Sequence, residues 1–181
     1  MANLIWRWIT RLGTVLLLMM TLACNQQPTP NAGTAQAILQ GTSDPATVAG
    51  VVNFKETDAG LEIEANLTQA PDGIHGFHVH ESGSCADEGN AAGGHYNPDN
   101  VKHGLLVRDG FANAHAGDLG NVEISQGRAT YRATLPGLTL SNGDYPIAGR
   151  AVILHEKADD FGQPTGNAGG RIGCGTITPT T

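Results

Sequence analysis

At 181 residues the chain has room for one domain with a substantial core. Ten Lys and Arg stand against 17 Asp and Glu, a formal net charge of −7, which argues against nucleic acid and anionic membrane surfaces as partners. Glycine makes up 25 of the residues, about twice the usual share, and the long segments alternate in polarity instead of following a 3.6-residue period, so the fold class is all-β.

Residues 1–23 read as a signal peptide. They contain no acid, Arg7 and Arg11 give a positive start, and residues 12–23 form an apolar run of about a dozen residues, too short to span a bilayer. Cys24 follows Ala23 and resembles the lipidated cysteine of bacterial lipoproteins, although Thr21 stands where their motif has Leu and Leu22 sits one place closer. Plain cleavage after Ala23 is the alternative. Residues 24–36 carry no large apolar side chain and read as a flexible tether, lipid-attached at Cys24. The domain is expected over 37–181. Both leader arginines leave with the signal, so the mature chain keeps 8 Lys and Arg against 17 acids, a charge of −9. Three cysteines in an exported protein suggest one disulfide and one cysteine with another fate. If Cys24 carries lipid, Cys85 and Cys174 remain as the pair; spacing alone does not give the connectivity.

Strands are predicted at 37–42, 48–55, 61–68, 75–81, 121–125, 128–135, 148–155 and 171–178. The clearest is 61–68, where Leu61, Ile63, Ala65 and Leu67 share one face and Glu62, Glu64, Asn66 and Thr68 the other. Eight strands punctuated by Gly, Asn and Asp turns predict a Greek-key β-sandwich or flattened barrel, and no segment has the pattern of a helix. Residues 82–118 and 156–170 are too long and Gly-rich to be strands; long loops in a compact domain are usually functional.

All seven histidines lie between 75 and 155. His78 and His80, two apart in a strand, project from one face, close enough to share a metal. His75 has the opposite parity and is expected to be a hydrogen-bonded structural histidine. His95, His103, His115 and Asp118 offer three nitrogens and one oxygen, a set that suits tetrahedral zinc. His155 closes the apolar run 151–154, and Asp159 lies four residues on. By themselves these last two would be a strand-end histidine and a solvated acid.

The residues also stand in motifs. Gly76-Phe77-His78-Val79-His80-Glu81, Gly94-His95-Tyr96-Asn97-Pro98, Lys102-His103-Gly104, His115-Ala116-Gly117-Asp118, His155-Glu156-Lys157-Ala158-Asp159-Asp160 and Gly166-Asn167-Ala168-Gly169-Gly170-Arg171-Ile172-Gly173-Cys174 resemble, in order and over essentially the whole domain, the signatures of copper/zinc superoxide dismutases. The resemblance implies copper on His78, His80, His95 and His155, and zinc on His95, His103, His115 and Asp118, with His95 shared. It implies that Asp159 hydrogen-bonds one ligand histidine of each metal, His78 and His103. It also implies a Cys85–Cys174 disulfide, and Arg171 beside copper to attract and orient superoxide, with Lys157 as a further cation.

In the implied mechanism copper alternates between two oxidation states while zinc orders the loop, and His95 takes and returns a proton. The alternative is a non-catalytic copper-binding or copper-delivery module on the same fold. The segment between Asp160 and Gly166 is shorter than its counterpart in the animal enzymes, and so is Ser82-Gly83-Ser84. The animal dimer is therefore not carried over, and monomer or a different dimer stays open.

Overall fold

The computed structural model describes residues 33–43 and 47–180; the predicted leader, Cys24 and most of the tether lie outside them. Among the described residues no helix is long and apolar enough to cross a membrane. The strands are β1 (Thr34–Gly41), β2 (Ala49–Thr57), β3 (Gly60–Gln69), β4 (Gly73–His80), β5 (Asp118–Ile124), β6 (Ala129–Leu135), β7 (Leu138–Thr139), β8 (Tyr145–Pro146), β9 (Ala151–His155), β10 (Arg171–Thr176) and β11 (Thr178–Thr180). Eight of them run antiparallel in the order β5-β4-β9-β10-β1-β2-β3-β6, with β11 also on β1. β5 and β6 approach each other at the two ends, so the sheet curls into a nearly closed barrel. The β3–β4 and β6–β9 connections each pass over intervening strands, the Greek-key connectivity.

Alternation builds the core. Leu61, Ile63, Ala65 and Leu67 of β3 point inward with Leu39, Phe54, Phe77, Val79, Leu154 and Ile177, while Glu62 and Thr68 face water. β9 departs from the pattern because all five of its residues are buried. Val152 and Leu154 belong to the barrel core; Ala151 and Ile153 pack on the outside with Ala92 and Cys174. A strand buried on both faces needs a cover on each, and here the long loops supply the outer one.

Several predicted boundaries move. β1 starts at Thr34, three residues before the predicted strand, and takes in Thr34–Gln36 from the stretch whose composition suggests a tether. Backbone pairing to β2 on one side and β11 on the other holds these residues without large side chains. The last predicted strand divides at Ile177, which leaves the β1 ladder to exchange backbone hydrogen bonds with Gly149 and Arg150. The segment predicted to begin at 148 becomes strand only from Ala151. Contrary to the helix-free prediction, one helical turn, α1 (Leu106–Asp109), forms in the first long loop, and a 3₁₀ turn forms at Asn90–Ala92. A single turn is too short to show a period. It is held by local chemistry, with the Leu105 N–H donated to Asp109 Oδ2 at 2.9 Å and Gly110 ending it at φ 69°.

Candidate metal centre

His78 and His80 lie on the outer face of β4, opposite the core residues Phe77 and Val79, and both are buried. His155 ends the neighbouring β9 with the same parity as Ala151 and Ile153, so it emerges beside them. His95 arrives by backbone pairing: Glu81 N–H donates to Gly94 O at 3.0 Å and Tyr96 N–H to Val79 O at 2.9 Å, which sets His95 opposite His80. Gly117 completes the junction by donating to Tyr96 O and accepting from Val79 N. A Cβ on Gly117 would collide with the Val79 carbonyl, so only glycine fits this approach.

The histidines form one continuous cluster. Donor atoms of His78, His80, His95 and His155 fall within 4.8 Å of one another, as do those of His95, His103, His115 and Asp118. His95 belongs to both groups, with its ring centroid 4.2 Å from that of His78 and 5.2 Å from that of His103. Hydrogen bonds select the nitrogens that face inward. His78 and His103 donate from Nε2 to Asp159, at 2.8 and 3.0 Å, which leaves Nδ1 free in each. His80 donates from Nδ1 to Gly93 O and His155 from Nδ1 to Gly169 O, leaving their Nε2 atoms 3.3 Å apart and directed at a common point.

Nδ1 of His78, His103 and His115 is buried and has no hydrogen-bond partner. The latter two lie 2.9 and 3.1 Å from Asp118 oxygens, so these groups converge on one point. A buried unsatisfied nitrogen costs about 1–3 kcal/mol. Three of them in one cluster fit a site built for ions that take imidazole nitrogen. Four nitrogens suit copper; three nitrogens and a carboxylate suit zinc.

Electrostatics separate the histidines of the metal-free protein. Burial pushes His80 down to about 2, His95 to about 4 and His155 to about 3, so these rings are neutral and do not lose their lone pairs to protons at neutral pH. Burial also pulls on His103, but the carboxylates of Asp118 and Asp159 outweigh it and push that ring up to about 9. Burial opposes charge on Asp118 as well, yet His103, His115, His95 and the Gly104 N–H together hold its carboxyl well below the usual range. Asp118 opens β5, paired with His78 of β4, instead of ending the loop as predicted; Gly104 N–H and His115 N–H both donate to its Oδ2 at 2.9 Å, and its Oδ1 lies 2.9 and 3.1 Å from His95 and His115.

His75 lies apart from the cluster, as its parity predicts. It is buried, with Nδ1 2.8 Å from His155 O and Nε2 3.1 Å from Pro71 O. Arg171 opens β10 directly opposite His155, and its guanidinium donates to Gly89 O and Gly93 O, both at 2.6 Å. Cys85 and Cys174 are joined in a disulfide, Cα atoms 5.7 Å apart, which fastens the same loop from its other side. Lys157 is exposed.

Two supporting residues escape sequence reading. Arg150 donates to Glu81 O at 2.7 Å and lies 3.5 Å over the Tyr96 ring, tying the end of β4 to the residue after His95. Gln163 holds the main chain of His103. For Arg150 the available signal is a cation just before a buried strand; for Gln163 there is none, since a polar residue before proline reads as an ordinary turn.

Comparison with known proteins agrees with this geometry. A family model described as "Copper/zinc superoxide dismutase (SODC)" matches residues 48–177. Superoxide dismutase [Cu-Zn] A of Xenopus laevis is 41% identical over 151 residues, 79% of this chain and 95% of that protein. The extracellular superoxide dismutase [Cu-Zn] of Caenorhabditis elegans is 38% identical over 140 residues; the match takes in 74% of this chain and 62% of the nematode protein. The crystal structure of the clock protein EA4 superposes with a TM-score of 0.72 at 35% identity, covering 84% of this chain and 98% of that one.

Proposed function

Because the chain belongs to the copper/zinc superoxide dismutase family, we propose that it is an exported oxidoreductase that converts superoxide to dioxygen and hydrogen peroxide. The observation that carries this reading is the pair of buried donor sets sharing His95. His78, His80, His95 and His155 would hold copper; His95, His103, His115 and Asp118 would hold zinc. Copper supplies a one-electron redox centre, and zinc, which has no redox chemistry, supplies a fixed charge and geometry.

The chain's own residues do the rest. Asp159 keeps the protons of His78 and His103 on Nε2, so that both rings present Nδ1. Burial keeps His80 and His155 neutral. His95 belongs to both donor sets, and its Nε2 would hold and release a proton. Arg171, fixed by two carbonyls at the mouth of the cluster, orients the anion. The copper-delivery alternative gives no task to an arginine held in this way.

Export follows from the leader and is supported by relatives named as extracellular enzymes. Cys24 carries a lipid that tethers the domain to a membrane through the residues between Cys24 and β1; Cys24→Ser should release the mature protein in soluble form, and continued membrane association would count against the anchor.

Metal analysis tests the site assignment. The loaded protein should contain one copper and one zinc per chain, and Asp118→Ala should lose zinc while keeping copper, because Asp118 belongs to the zinc set alone. Equal loss of both metals would show that the two sets are not separate.

A further inference from the structure

We propose that Gln163 is a positioning residue for the zinc site, fixing the main chain of His103 while Asp159 fixes its ring. Gln163 Oε1 accepts from the His103 N–H at 3.0 Å, and Gln163 Nε2 donates to the His103 C=O at 2.9 Å. One exposed side chain thus pairs with both main-chain groups of a buried residue 60 positions away. The pairing copies one rung of a β-ladder and joins the two long loops where strand pairing does not. Asn121 grips Asp159 in the same manner, donating to its carbonyl at 2.9 Å and accepting from its N–H at 2.8 Å.

The turn that presents Gln163 is itself braced. Asp160 N–H donates to Gly166 O, Gly166 N–H to Gly162 O, and Gly162 N–H to the Asp160 carboxylate, at 2.7–2.9 Å. Gly166, at φ 77°, lies against the Asp159–His103 contact, where a Cβ would collide with the Asp159 carboxylate. This short loop therefore holds His103 at the ring and at the backbone together. With both fixed, Nδ1 keeps its aim toward Asp118, and less ordering remains to be done when zinc binds. A surface hollow of about 520 Å³ bounded by Lys102, Arg108, Phe161 and Gln163 opens on this contact, so removing the amide would let water reach the His103 main chain.

The inference rests on reading His103 as a zinc ligand, and the test separates the two. Gln163→Met keeps the side-chain length but neither donates nor accepts in this pairing. Zinc affinity of the copper-loaded protein is measured by chelator competition, with cobalt(II) absorption as a geometric readout of the zinc site, alongside His103→Ala. Gln163→Met should bind zinc about 10- to 100-fold more weakly and shift the cobalt bands, with copper affinity within about threefold of wild type. Wild-type zinc affinity in Gln163→Met, together with zinc loss in His103→Ala, would overturn the role of Gln163 alone. Zinc retained in His103→Ala would overturn the ligand reading and this inference with it. Equal weakening of both metals in Gln163→Met would point to general loosening and also overturn it.

Discussion

Asp159 joins the two metal sets without belonging to the donor set of either, since one carboxylate accepts from His78 and from His103. Histidines of the surrounding cluster shift in opposite senses, and the metal-free protein should register this. His80, His95 and His155 have folded values of about 2, 4 and 3, below the ordinary 6.5. Below about pH 6.5 the unfolded chain therefore binds more protons, and stability falls as pH drops toward 4. His103, raised to about 9, contributes stability below pH 6.5 that is lost as pH rises through 9. On the acid side His103 is protonated in both states and adds no slope, so the three lowered groups set it. Urea unfolding of the metal-free protein should show stability falling by about 1 kcal/mol or more per pH unit from pH 6 to pH 4.5; a flat profile would mean that these rings are not buried in neutral form. At this scale parity in a strand makes His78 and His80 legible as a pair and sets His75 apart. His95, His103 and His115 lie in a loop with no period, so only their motifs identify them. Gln163 and Arg150 act through backbone carbonyls and ring faces that sequence spacing does not encode.

The first long loop is an element with little regular structure of its own, and its fastenings supplement the few side chains it buries, among them Tyr96, Leu106 and Ala116. Cys85–Cys174 ties it to β10, Arg171 takes the carbonyls of Gly89 and Gly93, and Arg150 takes that of Glu81 at its start. The disulfide closes 89 residues of chain; crosslinks typically contribute about 2–4 kcal/mol, more for longer spans. Replacing Cys85 and Cys174 together with Ser should lower unfolding stability by about that amount in the metal-free protein. An unchanged denaturation midpoint would show that the arginine contacts suffice to hold the loop. Alternation makes the strands around Leu61–Leu67 legible because one face meets the core and the other meets water. It fails at β9, buried on both faces, and at Thr34–Gln36, where backbone pairing to two neighbours makes strand from residues with little to bury. Asp118 reads as a loop residue because its pairing with His78 lies beyond a register shift in the β4–β5 ladder that sequence alternation does not show.

At the scale of the whole molecule an acidic protein, of formal charge −7, serves an anionic substrate. Overall charge opposes the encounter, so the field at the mouth of the cluster has to favour it. Arg171 is the cation fixed there, opposite His155. A focused local field changes association rates by about 10- to 1,000-fold, an effect for which superoxide dismutase is itself a known case, and salt screens it over about 10 Å at 0.1 M. The most direct measurement is the dismutation rate of the copper- and zinc-loaded protein as a function of ionic strength, for wild type and for Arg171→Glu with metal content verified. The wild-type protein should consume superoxide catalytically and slow as salt rises. The Glu variant should be at least about tenfold slower at low salt and should lose or reverse the salt dependence. A fully loaded wild type without dismutase activity, or a Glu variant as fast as wild type at low salt, would contradict the account.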